Sequence, residues 1–334
     1  MQPKLVQLND PTRVAEVRRV AIEFARAEGL GDTATEETAI VGAEIATNLL
    51  KHAKAGEVHI RTLSGSGEPG VEILSIDRGP GMTNLQMCVQ DGFSTAGTSG
   101  TGLGAVSRLS DAFDGYSQPG RGTVLVARKL LGGRRTARIN HWVFGVVTAC
   151  CPGETSCGDN WSLRRANGTI SALVADGLGH GVLAAEASRA ATVAFQAGAM
   201  VPPAAALETV HLALRSTRGA AVAVTYIDSG TRRVRYAGLG NISGVLLGGG
   251  RAQFMVSHNG TAGLEARRFQ EFDYPLPDDA ALVMHSDGLI TSWSVDAYPG
   301  LLRRHPAVIA GVLYRDASRG RDDVCVLVGR QIPE

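Results

Sequence analysis

The chain has 334 residues, of which 44% are hydrophobic and 19% charged. That is long enough for two compact domains and apolar enough to give each a core. Lys+Arg is 33 against 32 for Asp+Glu, a formal charge of +1, and no Lys/Arg-rich stripe is present to displace counterions, so general nucleic-acid binding is disfavoured. No apolar run reaches the roughly 18 residues of a membrane helix, and residues 1–10 lack the charged-then-apolar order of a secretion signal. The sequence therefore predicts a cytoplasmic protein with neither a membrane nor a nucleic-acid partner. Its five cysteines, Cys88, Cys150, Cys151, Cys157 and Cys325, are odd in number and contain no C-x-x-C pair. They argue against a disulfide framework and a structural zinc site, and read as reduced, mostly packing thiols.

In chain order, a short strand comes first. Asp10-Pro11 then supplies an N-cap and a first-turn proline for a helix whose apolar positions, Val14, Val17, Ala21 and Phe24, keep helical spacing and stop before Gly29. A second helix is predicted over 35–53, and β-branched runs at 57–63 and 71–76 flank a Gly/Ser-rich segment as an antiparallel hairpin. A Gly-dense loop, a helix near Ala105 and a strand over 123–130 follow. The polar, Gly-containing stretch 132–138 reads as a linker between domains 1–131 and 139–334. The second half alternates strands at 143–149 and 170–175, Ala-rich helices at 182–197 and 204–215, and strands at 222–227, 233–237, 245–247, 281–284 and 324–329. Helices grouped against antiparallel sheets give the class α+β: a two-layer sandwich, then paired sheets flanked by helices.

On the second predicted helix, Glu44, Asn48, Lys51 and His52 project from one stripe. An amide beside a carboxylate suits a hydrated Mg²⁺ bridging phosphates; a solvated helix face is the plain alternative. Asp77-Arg78-Gly79-Pro80-Gly81-Met82 leaves a buried-looking strand through two glycines, so backbone can approach a ligand while one carboxylate hangs at the strand end. Gly100-Thr101-Gly102-Leu103-Gly104 then leads into a helix, whose unpaired N–H groups and dipole favour phosphate.

These runs, with Asp91-Gly92-Phe93-Ser94-Thr95-Ala96-Gly97 between them, resemble the GHKL (Bergerat) ATPase fold, specifically the RsbT/RsbW class of anti-sigma-type serine/threonine kinases. The resemblance covers nearly all of residues 1–131. It implies ATP/ADP with Mg²⁺ as cofactor, Asn48 holding the Mg²⁺, Glu44 polarising the attacking hydroxyl and Asp77 accepting the adenine amino group. Gly79 and Gly81 would shape the base pocket, Thr101, Gly102 and Gly104 would cradle phosphates, and Thr123 would sit near the base. Lys51 is counted with the nucleotide-binding residues, and 89–99 would be the lid.

The second half places acidic residues at strand ends or tight turns: Gly158-Asp159, Asp176-Gly177-Leu178-Gly179-His180-Gly181, Ser286-Asp287-Gly288 and Asp322-Asp323. Carboxylates so placed can converge on hard cations, although Asp-Gly alone is a common hairpin dipeptide. Asp176 and Asp287 each follow an interior-looking apolar run, where a carboxylate without a partner is costly and a metal removes the cost.

This set resembles the SpoIIE/RsbX branch of metal-dependent PPM serine/threonine phosphatases, an α-β-β-α sandwich, over about 142–330. By that resemblance Asp159 bridges two Mn²⁺ or Mg²⁺ ions, Asp176 and the Gly177 carbonyl hold one, and Asp287 and Asp322 hold the other. The bridging water attacks a phosphoserine or phosphothreonine without a phosphoenzyme. Cys157 stands where the family usually has glycine and Cys325 where it usually has threonine; both read as small packing residues, with sensitivity to oxidation as the alternative. His180 is either a hydrogen-bonded turn residue or a proton shuttle. The combined expectation is a phosphorylation switch acting on STAS-type anti-sigma antagonists, and it allows a homodimer. The alternative is a phosphatase controlled by a non-catalytic nucleotide- or partner-binding module.

Overall fold

Val58 and Ile60 alternate with His59 and Arg61 along β2 (Gly56–Thr62), and this two-residue period sets the layering of the first half. In this computed structural model the described residues are 1–53, 55–63, 69–89, 102–133, 142–166, 168–266 and 268–331. The chain divides into two units, Met1–Arg138 with Val295–Arg315, and Ile139–Ser294 with Asp316–Glu334. Most of the expected linker, and residues 90–99 of the expected lid, lie outside the described residues.

In the first unit β1 (Lys4–Leu8), β2, β3 (Gly70–Asp77), β4 (Ala112–Gln118) and β5 (Gly122–Leu130) form one antiparallel sheet in the order β1-β2-β3-β5-β4. On one face Val58, Ile60, Val71 and Ile73 pack against α1 (Thr12–Ala27), α2 (Asp32–Asn48) and α4 (Gly102–Leu109) through Val17, Phe24, Ile45 and Val106. Pro11, expected in the first turn, stands instead at the N-cap of α1, and the Asp10 carboxylate ahead of it accepts the Thr12 N–H at 2.9 Å. A short helix, α3 (Leu85–Val89), precedes α4. The α2 helix begins ahead of the predicted start and passes at Leu49–Ala53 into a π-helical turn.

The opposite face of this sheet carries a buried Arg61–Glu72–Arg128 triad, with Glu72 accepting from Arg61 Nε at 2.6 Å and Arg128 Nε at 2.7 Å. The segment Val295–Arg315 packs with this unit although it lies late in the sequence. It contains most of α7 (Pro306–Ala317). Tyr314 meets the His59 ring edge-on at 5.6 Å, and the His305 N–H donates to Asp114 at 2.6 Å.

The second unit pairs two antiparallel-rich sheets. One runs β13 (Ser257–His258), β10 (Arg233–Leu239), β9 (Ala220–Asp228), β8 (Thr169–Gly177), β7 (Asp159–Ala166), with β14 (Phe272–Pro275) also on β10. The other runs β12 (Arg251–Met255), β11 (Ser243–Gly248), β15 (Ala281–His285), β16 (Val324–Gln331), β6 (Trp142–Ala149). Trp142, Phe144, Tyr236, Leu282 and Leu327 fill the core between them. Phe195 of α5 (Val182–Ala197) and Leu207 of α6 (Pro203–Ala213) pack on Leu173 and Val222 of the first sheet. The fold is thus a mixed α/β one: a helix-on-sheet GHKL-like domain followed by a PPM-like sandwich.

Candidate functional site

In the first unit, α2, its π turn and the end of β3 enclose a cavity of about 490 Å³. Asn48, Asp77, Gly81, Gly102 and Thr123 line it, joined by His52. Asp77 Oδ1 accepts the Gly79 N–H at 2.7 Å and the Thr123 N–H at 3.2 Å. Burial raises the Asp77 carboxyl above its ordinary range, and those two N–H groups pull it back. Gly81 adopts φ 68°, and a Cβ there would strike the Gln118 carbonyl, so the turn needs glycine. Thr123 Oγ1 lies 2.9 Å from Ser117 Oγ, whose hydroxyl accepts the Met82 N–H at 2.7 Å. The strand end, the glycine turn and β5 are therefore one bonded frame.

A Cβ built on Gly102 would lie 3.2 Å from Glu44 Oε2 and 3.3 Å from Asn48 Oδ1, which brings the start of α4 against both side chains. Asn48 Nδ2 is buried and has no hydrogen-bond partner among the described residues. Amide nitrogen and oxygen exchange by a flip, so this end can face either a phosphate or a cation. Gly104 is buried within α4, and Thr101 lies outside the described residues. Lys51, expected at the nucleotide, is exposed and does not line the cavity. It sits in the π turn Leu49–Ala53, where the spacing is not that of an α-helix.

In the second unit the strand ends gather the acidic residues. Asp159 opens β7 and stands opposite Asp176 of β8, while Asp287 follows β15 and Asp322 precedes β16. Asp159 is 5% exposed; its Oδ2 accepts from Ser286 Oγ at 2.5 Å, and its Oδ1 is buried with no partner among the described residues. Burial and then the Asp176 charge push the Asp159 carboxyl well above its usual range. Burial, with Asp287, Asp322 and Asp323, pushes Asp176 up to about 7. Asp287 is raised by burial and Asp322, partly offset by Arg319 and by the Asn241 amide at 2.8 Å. Such a concentration of buried negative charge, with an orphaned oxygen at its centre, fits the oxygen donor set of hard divalent cations. A Cβ at Gly177 would strike the Ala184 carbonyl, so glycine is required where α5 crosses the strand end.

His180 Nδ1 lies 2.7 Å from Glu154 Oε1, as a bonded turn residue. Cys325 is fully buried, as a packing residue would be. Three contributors escaped the sequence reading as site residues. Ser286 and Asp323 flank predicted positions, so adjacency was the available signal, whereas Asn241 carries none. Asp323, more deeply buried than Asp322, accepts the Cys151 N–H at 2.8 Å and the Gly158 N–H at 2.9 Å, and so hangs the loop before Asp159 on one carboxylate.

Comparison with known proteins follows the same division. Residues 8–129 match the family described as histidine kinase-like ATPase domain, and residues 166–331 match stage II sporulation protein E. The chain is 36% identical over 120 residues to the serine/threonine-protein kinase RsbT of Bacillus subtilis (strain 168), covering 35% of this chain and 89% of that protein. It is 25% identical over 138 residues to the phosphoserine phosphatase RsbX of the same organism, covering 41% and 69%. A crystal structure of RsbX in complex with magnesium superposes with a TM-score of 0.50 at 20% identity, over 59% of this chain and 99% of that one, a likeness of fold. No helix among the described residues is long and apolar enough to cross a membrane.

Proposed function

Because the chain belongs to the RsbT family of serine/threonine kinases through residues 8–129 and carries a SpoIIE-type phosphatase domain over 166–331, we propose that it is a partner-switching enzyme that both adds and removes phosphate. The kinase module uses ATP and Mg²⁺, the phosphatase module uses Mn²⁺ or Mg²⁺, and both act on a serine or threonine of a STAS-domain anti-sigma antagonist. The observation that carries the reading is the buried, partnerless Oδ1 of Asp159 among Asp176, Asp287 and Asp322.

Asp159 would bridge two divalent cations, with Asp176 and the Gly177 carbonyl on one and Asp287 and Asp322 on the other. The ions would supply an activated water and neutralise charge on the attacked phosphate. Ser286 holds the bridging carboxylate by one oxygen, leaving the other for the metal. Asn241 holds Asp287 in the same way. That the RsbX structure is in complex with magnesium supports a hard cation in this domain. In the kinase module Asp77 would accept the adenine amino group and Asn48 would hold Mg²⁺. Gly79, Gly81 and Thr123 would form the base pocket, and Thr101, Gly102 and Gly104 would face the phosphates. Glu44, beside Gly102, would draw the proton from the target hydroxyl.

The test is incubation of the full chain with ATP, Mg²⁺ and a cognate STAS protein, followed by mass spectrometry, then Mn²⁺ with ATP withdrawn. Phosphate should appear on one residue and then leave it. Absence of both steps ends the reading; loss of phosphate alone, with a Glu44→Ala protein indistinguishable from wild type, assigns the first module to regulation.

A further inference from the structure

Beside the carboxylate cluster, Cys150 and Cys157 bring their sulfurs together with the Asp323 carboxylate, the three donor atoms lying within 4.8 Å of one another. The cysteines bracket the loop between the end of β6 at Ala149 and the start of β7 at Asp159. Cys157 donates to the Ala149 carbonyl at 3.5 Å. Cys150 is exposed, Cys157 half-buried and Asp323 buried, so the group opens to solvent at Cys150.

We propose that Cys150, Cys157 and Asp323 bind a thiophilic divalent cation, zinc in the first instance, beside the hard-cation cluster. Two sulfurs and one carboxylate oxygen favour zinc over magnesium or manganese. Both Asp323 oxygens already accept backbone N–H bonds, the outer support that ligating carboxylates require. The exposure of Cys150 supplies an entry path and a fourth position for water. On binding, each thiol exchanges its S–H bond for a sulfur–metal bond and releases its proton to solvent; no electron moves. A Cys150–Cys157 disulfide would use the same sulfurs, but it needs an external oxidant and gives Asp323 no part. Occupancy would fix the loop from which Asp159 enters β7, placing a zinc-responsive element next to the phosphatase cluster. The sequence hid the site because its third donor lies far down the chain from a cysteine pair without C-x-x-C spacing.

The full chain, reduced and stripped of metal by a chelator, is titrated with Co²⁺, and Zn²⁺ is then used to displace it. The expected result is one equivalent with thiolate-to-cobalt charge-transfer absorption, discharged by Zn²⁺, lost in Cys150→Ser and in Cys157→Ser, and retained in Cys151→Ser. Circular dichroism establishes that each variant is folded, and Cys150, being exposed, is the variant least dependent on packing. Absence of the absorption from the reduced wild type overturns the proposal. So does an undiminished band in folded Cys150→Ser, or a Cys150–Cys157 disulfide in protein whose reduced form takes up no cobalt.

Discussion

Ser286 Oγ donates to Asp159 Oδ2 at 2.5 Å while accepting the Cys325 N–H at 3.0 Å, so a backbone amide of β16 fixes the hydroxyl that fixes the carboxylate. The proposed bridging ligand is thereby oriented from one side only. Replacing Ser286 by Ala removes that hold without touching the free oxygen. Outer partners of ligating groups are typically worth about 10–100-fold in metal affinity or activity. Ser286→Ala should therefore need roughly 10-fold more Mn²⁺ for half-maximal hydrolysis of an aryl phosphate. An unchanged Mn²⁺ requirement would remove Ser286 from the site.

Asp159→Asn separates the cluster's function from its electrostatic penalty. In metal-free protein the penalty of burying that carboxyl against Asp176 disappears, so the melting temperature should rise by a few degrees, on the order of 1 kcal/mol. Mn²⁺, expected to stabilise the wild type by binding its folded state, should not raise the melting temperature of the variant, and hydrolysis should fall to background. A variant that melts lower than wild type without metal would show that the bond from Ser286 outweighs that penalty.

At the proposed nucleotide cavity, Asp77 makes two backbone bonds through Oδ1 and is otherwise available to a ligand. Asp77→Asn keeps the shape and removes the charge, so ADP affinity should drop about 10–100-fold, the range of one charge-assisted hydrogen bond. Calorimetric titration reads this directly. Equal affinity of wild type and variant would place the base elsewhere.

Legibility in the sequence followed how locally each feature is specified. The Gly-flanked carboxylates stood out because strand-end Asp followed by Gly is a short-range pattern, and α5 because its apolar positions keep one period. β4 was missed because Asp114 and Gly115 break the run of a short edge strand, and β7 because Arg164 and Arg165 mask its alternation. The α7 helix was missed for the opposite reason. Every residue from Pro306 to Leu313 is buried, so no amphipathic contrast survives to announce a helix. Ideal helical spacing puts Lys51 on the Glu44–Asn48 stripe, whereas the segment that holds it winds as a π turn. Asn241 reaches the cluster only through tertiary folding, which no spacing rule encodes.

Glu72 sets an acid limit on the first unit. Burial pushes its carboxyl up, but the charges of Arg61 and Arg128, with His305 adding to them, more than offset this and hold it at about 2 against an ordinary 4.5. A depressed carboxyl stabilises the fold above its unfolded value, and that contribution is lost as pH falls through the folded value. Roughly 3 kcal/mol should therefore disappear between about pH 5 and pH 2. Glu72→Gln should lack this slope and be less stable at neutral pH by about 3–5 kcal/mol, because two buried guanidinium groups lose their anion. If the stability difference between the two proteins stays constant over that range, the triad is not what holds the unit against acid.

Gly311 lies in α7, where glycine is unfavourable by about 1 kcal/mol relative to Ala. Close approach explains it: a Cβ there would lie 2.7 Å from Val124 Cγ1 and 3.5 Å from Ile76 Cδ1. Val124 follows Thr123 and Ile76 precedes Asp77, so these two contacts back the residues that line the nucleotide cavity. The tie is reinforced where the Arg78 guanidinium donates to the Arg315 carbonyl. Gly311→Val overfills the contact, which should lower stability by about 1–3 kcal/mol. It should also weaken ADP binding several-fold, since Ile76 and Val124 can yield only toward the cavity or along their strands. Thermal melting and calorimetric titration separate the two effects. A protein that melts lower yet binds ADP as tightly as wild type would mean that the β3 and β5 ends absorb the strain without moving Asp77 or Thr123.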